Sequence, residues 1–88
     1  MNRIFLSGKI QRVPDVAYTP KGRKIVTFPL WVDDEAFSIE VIYLDRQGVK
    51  DLAGLMDSAV IVSGRLTGSA DRRGALKVRA NKILRMEE

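Results

Sequence analysis

Five runs of this chain read as β-strands, and only one short run has the spacing of a helix. Ile4, Leu6, Gly8 and Ile10 alternate with Arg3, Ser7, Lys9 and Gln11, the period-two pattern of a half-buried strand. A second strand is expected over 24–32, where Phe28, Leu30 and Val32 claim one face and leave Trp31 on the other. Pro29 has no amide hydrogen for a ladder, so this strand should be an edge or carry a bulge there. Further strands are expected over 37–44, 59–66 and 76–84. Val49, Leu52, Leu55 and Met56 give 48–56 helical spacing, short enough for a plug between strands. The first two strands are joined by an irregular connection over 14–21, in which Pro20-Lys21-Gly22 has the residues of a tight turn. Residues 67–74 are polar, contain glycine at both ends, and read as the loop of a last hairpin.

Three strands, one helix and two strands is the order of the OB-fold, an all-β, five-stranded Greek-key barrel. The short helix would fall between strands 3 and 4. With 88 residues and no repeat, low-complexity tract or linker, the chain is expected to be one OB-fold domain over 1–88. A core of this size leaves little surplus stability, so a second subunit would help. The outward parity of Phe5 and the apolar Ile42 and Leu44 also favour an oligomer.

The missing residue types exclude much chemistry. There is no cysteine, hence no disulfide framework or thiolate site, and no histidine, the commonest general base and metal ligand. Ser7, Ser38, Ser58, Ser63 and Ser69 therefore have no histidine to activate them. Asp33-Asp34-Glu35 has the oxygen donors a hard cation wants, but three acids in a row on a turn are more often a solvated tip. No glycine-rich nucleotide loop is present. The expectation is a binding protein, not an enzyme, with no cofactor and no metal. No long apolar run or cleavable leader is visible, so the expected location is cytoplasmic, without a membrane.

The net charge of +4 is unevenly spread. Seven acids stand against Arg46 and Lys50 between residues 33 and 57, whereas elsewhere thirteen Lys or Arg stand against four acids. That is −5 in the middle and +9 outside it, a split that suits a polyanion-binding face. Arg72 and Arg73 cap the last hairpin, and Lys77 and Arg79 alternate with Leu76, Val78 and Ala80, so they point away from the core. Lys21, Arg23 and Lys24 form a second cluster; Arg3, Lys9, Arg12, Arg46 and Arg65 complete the basic candidates. Nonspecific strand binders add aromatic platforms for bases. Trp31 is the best of the six aromatics for that role; its alternative is a core or interface tryptophan. Phe37 and Tyr43 share a core-like face with Ile39 and Val41, Phe28 belongs in the core, and Tyr18 should pin the loop to the barrel.

Asn2-Arg3, Pro14-Asp15 and Tyr18-Thr19-Pro20-Lys21-Gly22, followed by Ile39-Glu40-Val41-Ile42 and Val60-Ile61-Val62-Ser63-Gly64-Arg65-Leu66, resemble bacterial single-stranded DNA-binding (SSB) proteins. The resemblance implies an OB-fold that assembles into homodimers or homotetramers and sequesters unpaired strands without catalysis. By motif it points to Arg3, Arg46 and the 72–79 hairpin as contacts. The chain departs from the family where the loop after the second strand is cut to Asp33-Asp34-Glu35-Ala36, and where Ala70 or Asp71 stands near the hairpin's usual tryptophan. The third strand admits two registers, one placing Phe37 and Tyr43 at the stacking positions, the other Ser38 and Leu44. The second matches Ile39-Glu40 better. No acidic C-terminal tail is expected beyond Glu88. Leu6-Ser7-Gly8 and the basic hairpin are also similar to the primosomal replication protein N (PriB) family.

Two functions follow. One is sequence-nonspecific binding of single-stranded DNA in replication, repair or replication restart, with RNA not distinguished because phosphate contacts do not tell the two apart. The other is a PriB-like adaptor that docks replication or primosome proteins and has weak DNA affinity.

Overall fold

Strand formation follows from side-chain alternation over a shared apolar interior. The computed structural model describes residues 1–45, 54, 56–68 and 75–86. Among them the chain forms β1 (Ile4–Ile10), β2 (Asp15–Tyr18), β3 (Lys24–Val32), β4 (Phe37–Asp45), β5 (Ala59–Gly68) and β6 (Leu76–Arg85). On β3, Val26, Phe28, Leu30 and Val32 are buried and the residues between them are not. Ile10, Val41, Val60, Val62, Val78 and Ile83 complete the core from the other barrel strands. Most are β-branched, the shape that fits a pleated, buried surface. Each such side chain contributes roughly 1.5–3 kcal/mol on burial.

The ladder closes on itself. β1 runs antiparallel to β5 from Ile4 through Lys9, then to β3 at Lys9 and Ile10. β3 and β4 are antiparallel over their whole lengths, β4 and β6 are parallel, and β6 returns antiparallel to β5. This is the five-stranded OB barrel expected from the order of elements. The helix expected over 48–56 lies outside the described residues except for Gly54 and Met56. Met56 forms a parallel bridge with Ile10, and the Asp57 amide donates to the Ile10 carbonyl at 2.8 Å.

Three expectations need correction. The 14–21 connection is not irregular throughout, because Asp15–Tyr18 forms β2 and pairs with Thr27 to Lys24 of β3. All four β2 side chains are exposed, so its backbone pairing leaves no apolar alternation to read. For the same reason Tyr18 does not pin the loop; β2 lies beyond the barrel wall and leaves Tyr18 68% exposed. Pro29 is accommodated without a break in the β3–β4 register, where it faces Glu40. On the other edge of β3, β2 ends at Thr27 and β1 begins at Leu30. Pro29 thus lies at a gap in that edge, where no strand requires an amide hydrogen from it.

Candidate functional site

The outward face of the barrel is set by the same alternation that fills its core. Val41 and Val78 point inward, so Glu40 and Ile42 of β4 and Lys77 and Arg79 of β6 point outward. Register then sorts the outward residues into rows across the sheet. Lys9, Trp31 and Ser38 form one row, and Pro29, Glu40, Lys77 and Thr67 the next. Thr27, Ile42, Arg79 and Arg65 form a third, followed by Ile25 with Leu44.

The last two rows sink into a groove of about 900 Å³. Ile25, Ile42 and Leu44 form an aliphatic floor, and Arg3, Arg23, Arg65 and Arg79 stand around it. All four arginines are exposed. Two local devices place those that do not lie inside strands. The Asn2 side chain lies where the β1–β5 ladder would continue: its Nδ2 donates to the Leu66 carbonyl at 2.6 Å, and its Oδ1 accepts from the Leu66 amide at 2.9 Å. The clamp carries the pairing two residues past Ile4 and holds Arg3 at the groove mouth. Arg23 follows a turn closed by the Gly22 amide donating to the Thr19 carbonyl at 2.8 Å, with Gly22 at φ 82°. The Arg23 amide donates to the Thr19 hydroxyl at 3.0 Å. This is the Pro20-Lys21-Gly22 turn expected from the sequence, and glycine serves it because the left-handed region costs it little.

The other basic candidates are dispersed. Lys24 Nζ lies 4.0 Å from the buried carboxylate of Asp45, which also lines the groove. Lys77 Nζ lies 3.1 Å from Glu40 Oε2. Lys9 sits across from Trp31, and Arg12 and Lys21 are exposed in the connection between β1 and β3. Arg46, Arg72 and Arg73 lie outside the described residues. Trp31 is half-buried, and its indole Nε1 donates to Asp33 Oδ1 at 3.2 Å. It does not line the groove. On β4, Ser38 and Leu44 take the outward face, while Tyr43 packs against the core and reaches the groove. Phe37 is 39% exposed at the strand's start. Sequence reasoning missed the paired acids Glu40 and Asp45 and the clamping role of Asn2. It also assigned Ile42 and Leu44 to a subunit contact instead of the groove floor.

A closed five-stranded barrel of this strand order is an OB-fold, here with a basic groove across one outer face. No protein-family model matches the chain, and no curated protein matches it. Solved structures do. The single-stranded DNA binding protein from Thermus aquaticus is 27% identical with a TM-score of 0.78, covering 100% of this chain and 41% of its own. The chain thus spans about two fifths of that protein's length. The second single-stranded DNA binding protein (SSBb) from Mycobacterium smegmatis has a TM-score of 0.81 at 17% identity, covering 98% of this chain and 87% of its own. A dimeric structure of the N-terminal domain of PriB protein from Thermoanaerobacter tencongensis has a TM-score of 0.75 at 24% identity, covering 99% of this chain and 98% of its own. These two likenesses below 25% identity bear on the fold. With the Thermus structure, all three likenesses are to SSB and PriB proteins. No helix among the described residues is long and apolar enough to cross a membrane.

Proposed function

We propose that this chain binds single-stranded DNA without sequence preference, as a replication, repair or restart protein. The observation that carries the reading is the groove, with four exposed arginines around an aliphatic floor. Guanidinium groups pair with phosphate oxygens in a planar, bidentate geometry and also stack on base planes. Ile25, Ile42 and Leu44 offer apolar surface to bases and sugars but no donor or acceptor on their side chains to read a base edge. Affinity therefore comes from the backbone, and sequence is not read. The Thermus protein is named a single-stranded DNA binding protein. An adaptor role is not favoured by the PriB likeness over this reading.

The test is fluorescence anisotropy of a labelled oligo-dT, titrated at several salt concentrations. With one phosphate neutralised per groove arginine, the slope of log affinity against log salt is about −2.8, from roughly −0.7 per contact on a single strand. A slope near zero, or equal affinity for a duplex of the same length, overturns the reading.

The same reading includes a homodimer. β1 pairs with β3 only at Lys9 and Ile10, so among the described residues its first half presents an edge with no strand beside it. Phe5 is 68% exposed on that strand, and Leu84 lies exposed on β6, the strand beyond β5. An open edge beside apolar side chains is a template for a second copy. The PriB domain is dimeric by its description. Light scattering at micromolar concentration is expected to give twice the monomer mass; a monomer mass overturns the dimer.

A further inference from the structure

The outward face does not end at the groove. It continues along β3 and β4 to Trp31, about 13 Å beyond Thr27 at the rise of a strand. Between the two lies the row of Pro29, Glu40, Lys77 and Thr67. A strand running from the arginines to the indole must cross Glu40, whose carboxylate engages Lys77 at 3.1 Å. The Glu40 side chain is 42% exposed, so its charge faces anything laid over the row. Lys77, the cation that would otherwise meet a phosphate here, is already engaged.

Resting on the strand-binding reading above, we infer that the Glu40–Lys77 ion pair is a boundary of the binding site. It stops the bound strand at the arginine row and keeps Trp31 outside the footprint. Three observations converge on it. Glu40 is the acid of the central rows, set between the groove and Trp31. Its partner is a lysine that register places directly opposite it on β6. Trp31 is tied by its indole hydrogen to Asp33, a second acid at the far end of the face. A polyanion gains from Arg65 and Arg79; if it extends further it must pass Glu40 before it reaches Lys9 beside Trp31, and it meets a second carboxylate at Asp33.

The experiment follows binding by anisotropy of a labelled oligo-dT and contact by the fluorescence of Trp31 in the same titration. In the unaltered chain, saturation is expected with little change in Trp31 emission. Glu40→Gln keeps the side chain's size and removes its charge. Trp31 emission should then be quenched on binding, and the oligonucleotide length needed for full affinity should rise. The salt slope should steepen by about 0.7 as Lys77 gains a phosphate. Lys77→Gln alone should leave the slope of the unaltered chain as it was, and in the Glu40→Gln background should remove the gain. Strong quenching in the unaltered chain overturns the boundary, as does a Glu40→Gln chain with unchanged emission, length requirement and slope. A loss of slope from Lys77→Gln alone overturns it too. Absence of any anisotropy change in the unaltered chain is a different failure: it removes the strand-binding reading itself.

Discussion

Arg65→Ala combined with Arg79→Ala is expected to lower affinity for oligo-dT by at least about a hundredfold at low salt, from two charge-assisted hydrogen bonds at roughly 1.5 kcal/mol or more each. The salt slope should flatten by about 1.4, two contacts at about 0.7 each. Stability should move the other way. Arg65 and Arg79 are direct register partners on β5 and β6, and like charges placed opposite each other on a sheet weaken it. Removing both relieves that repulsion and should raise the unfolding midpoint slightly. A pair of arginines so placed makes sense for a polyanion lying between them and not for the free barrel. Melting curves and salt titrations on the same samples check both halves of the argument. A fall in affinity that comes with a fall in stability, or with an unchanged slope, would assign the arginines to the fold.

The barrel could be read from the chain because its strands bury one face each. Val26, Phe28, Leu30 and Val32 write the period of two directly into β3, and Val60 with Val62 does so on β5. The strand β2 carried no such mark. Its four side chains all face solvent, and it exists because the β3 edge offers hydrogen bonds from Lys24 to Thr27. Backbone pairing of that kind has no side-chain signature. Pro29 was read correctly as a conflict with a continuous ladder, but its resolution needed two strands to share one edge of β3 and leave a gap between them.

The site was legible in part, and the division has a physical cause. Parity alone sends Arg65 and Arg79 outward, since their neighbours Gly64 and Val78 are buried. What parity cannot supply is register between distant strands. The Glu40–Lys77 pair depends on β4 and β6 lying parallel in one alignment. The Asn2 clamp on Leu66 joins residues 64 positions apart. Ile42 and Leu44 were visible as outward apolar residues, and only closure of the barrel separates the groove floor that they form from the exposed Phe5 side. Lysine counts likewise overstate the site, because Lys24 and Lys77 each face an acid.

Gly64→Ala is expected to be among the most damaging single substitutions in the barrel. Gly64 is buried on β5 where the β5–β6 register shifts by one residue. A methyl group there would run into the Arg79 carbonyl and lie 2.9 Å from the Ala80 Cα. Both obstacles are backbone, so no rotamer change can clear them. Relief requires β6 to move away from β5 at the register shift. Overpacking of this kind costs about 3 kcal/mol, at the upper end of its usual range. For a domain of this size that lowers the melting temperature by roughly 12–24 °C. The strand that must move carries Arg79, so affinity for oligo-dT should fall even at temperatures where the variant stays folded. Gly68→Ala is the control. It lies on the same strand with open space around its Cβ position, and should be neutral or stabilising by about 0.4–1 kcal/mol through the unfolded chain's lost freedom. Equal melting temperatures for the two variants would show that the β5–β6 crossing yields easily. The close approach of β5 and β6 would then not depend on a missing side chain at residue 64.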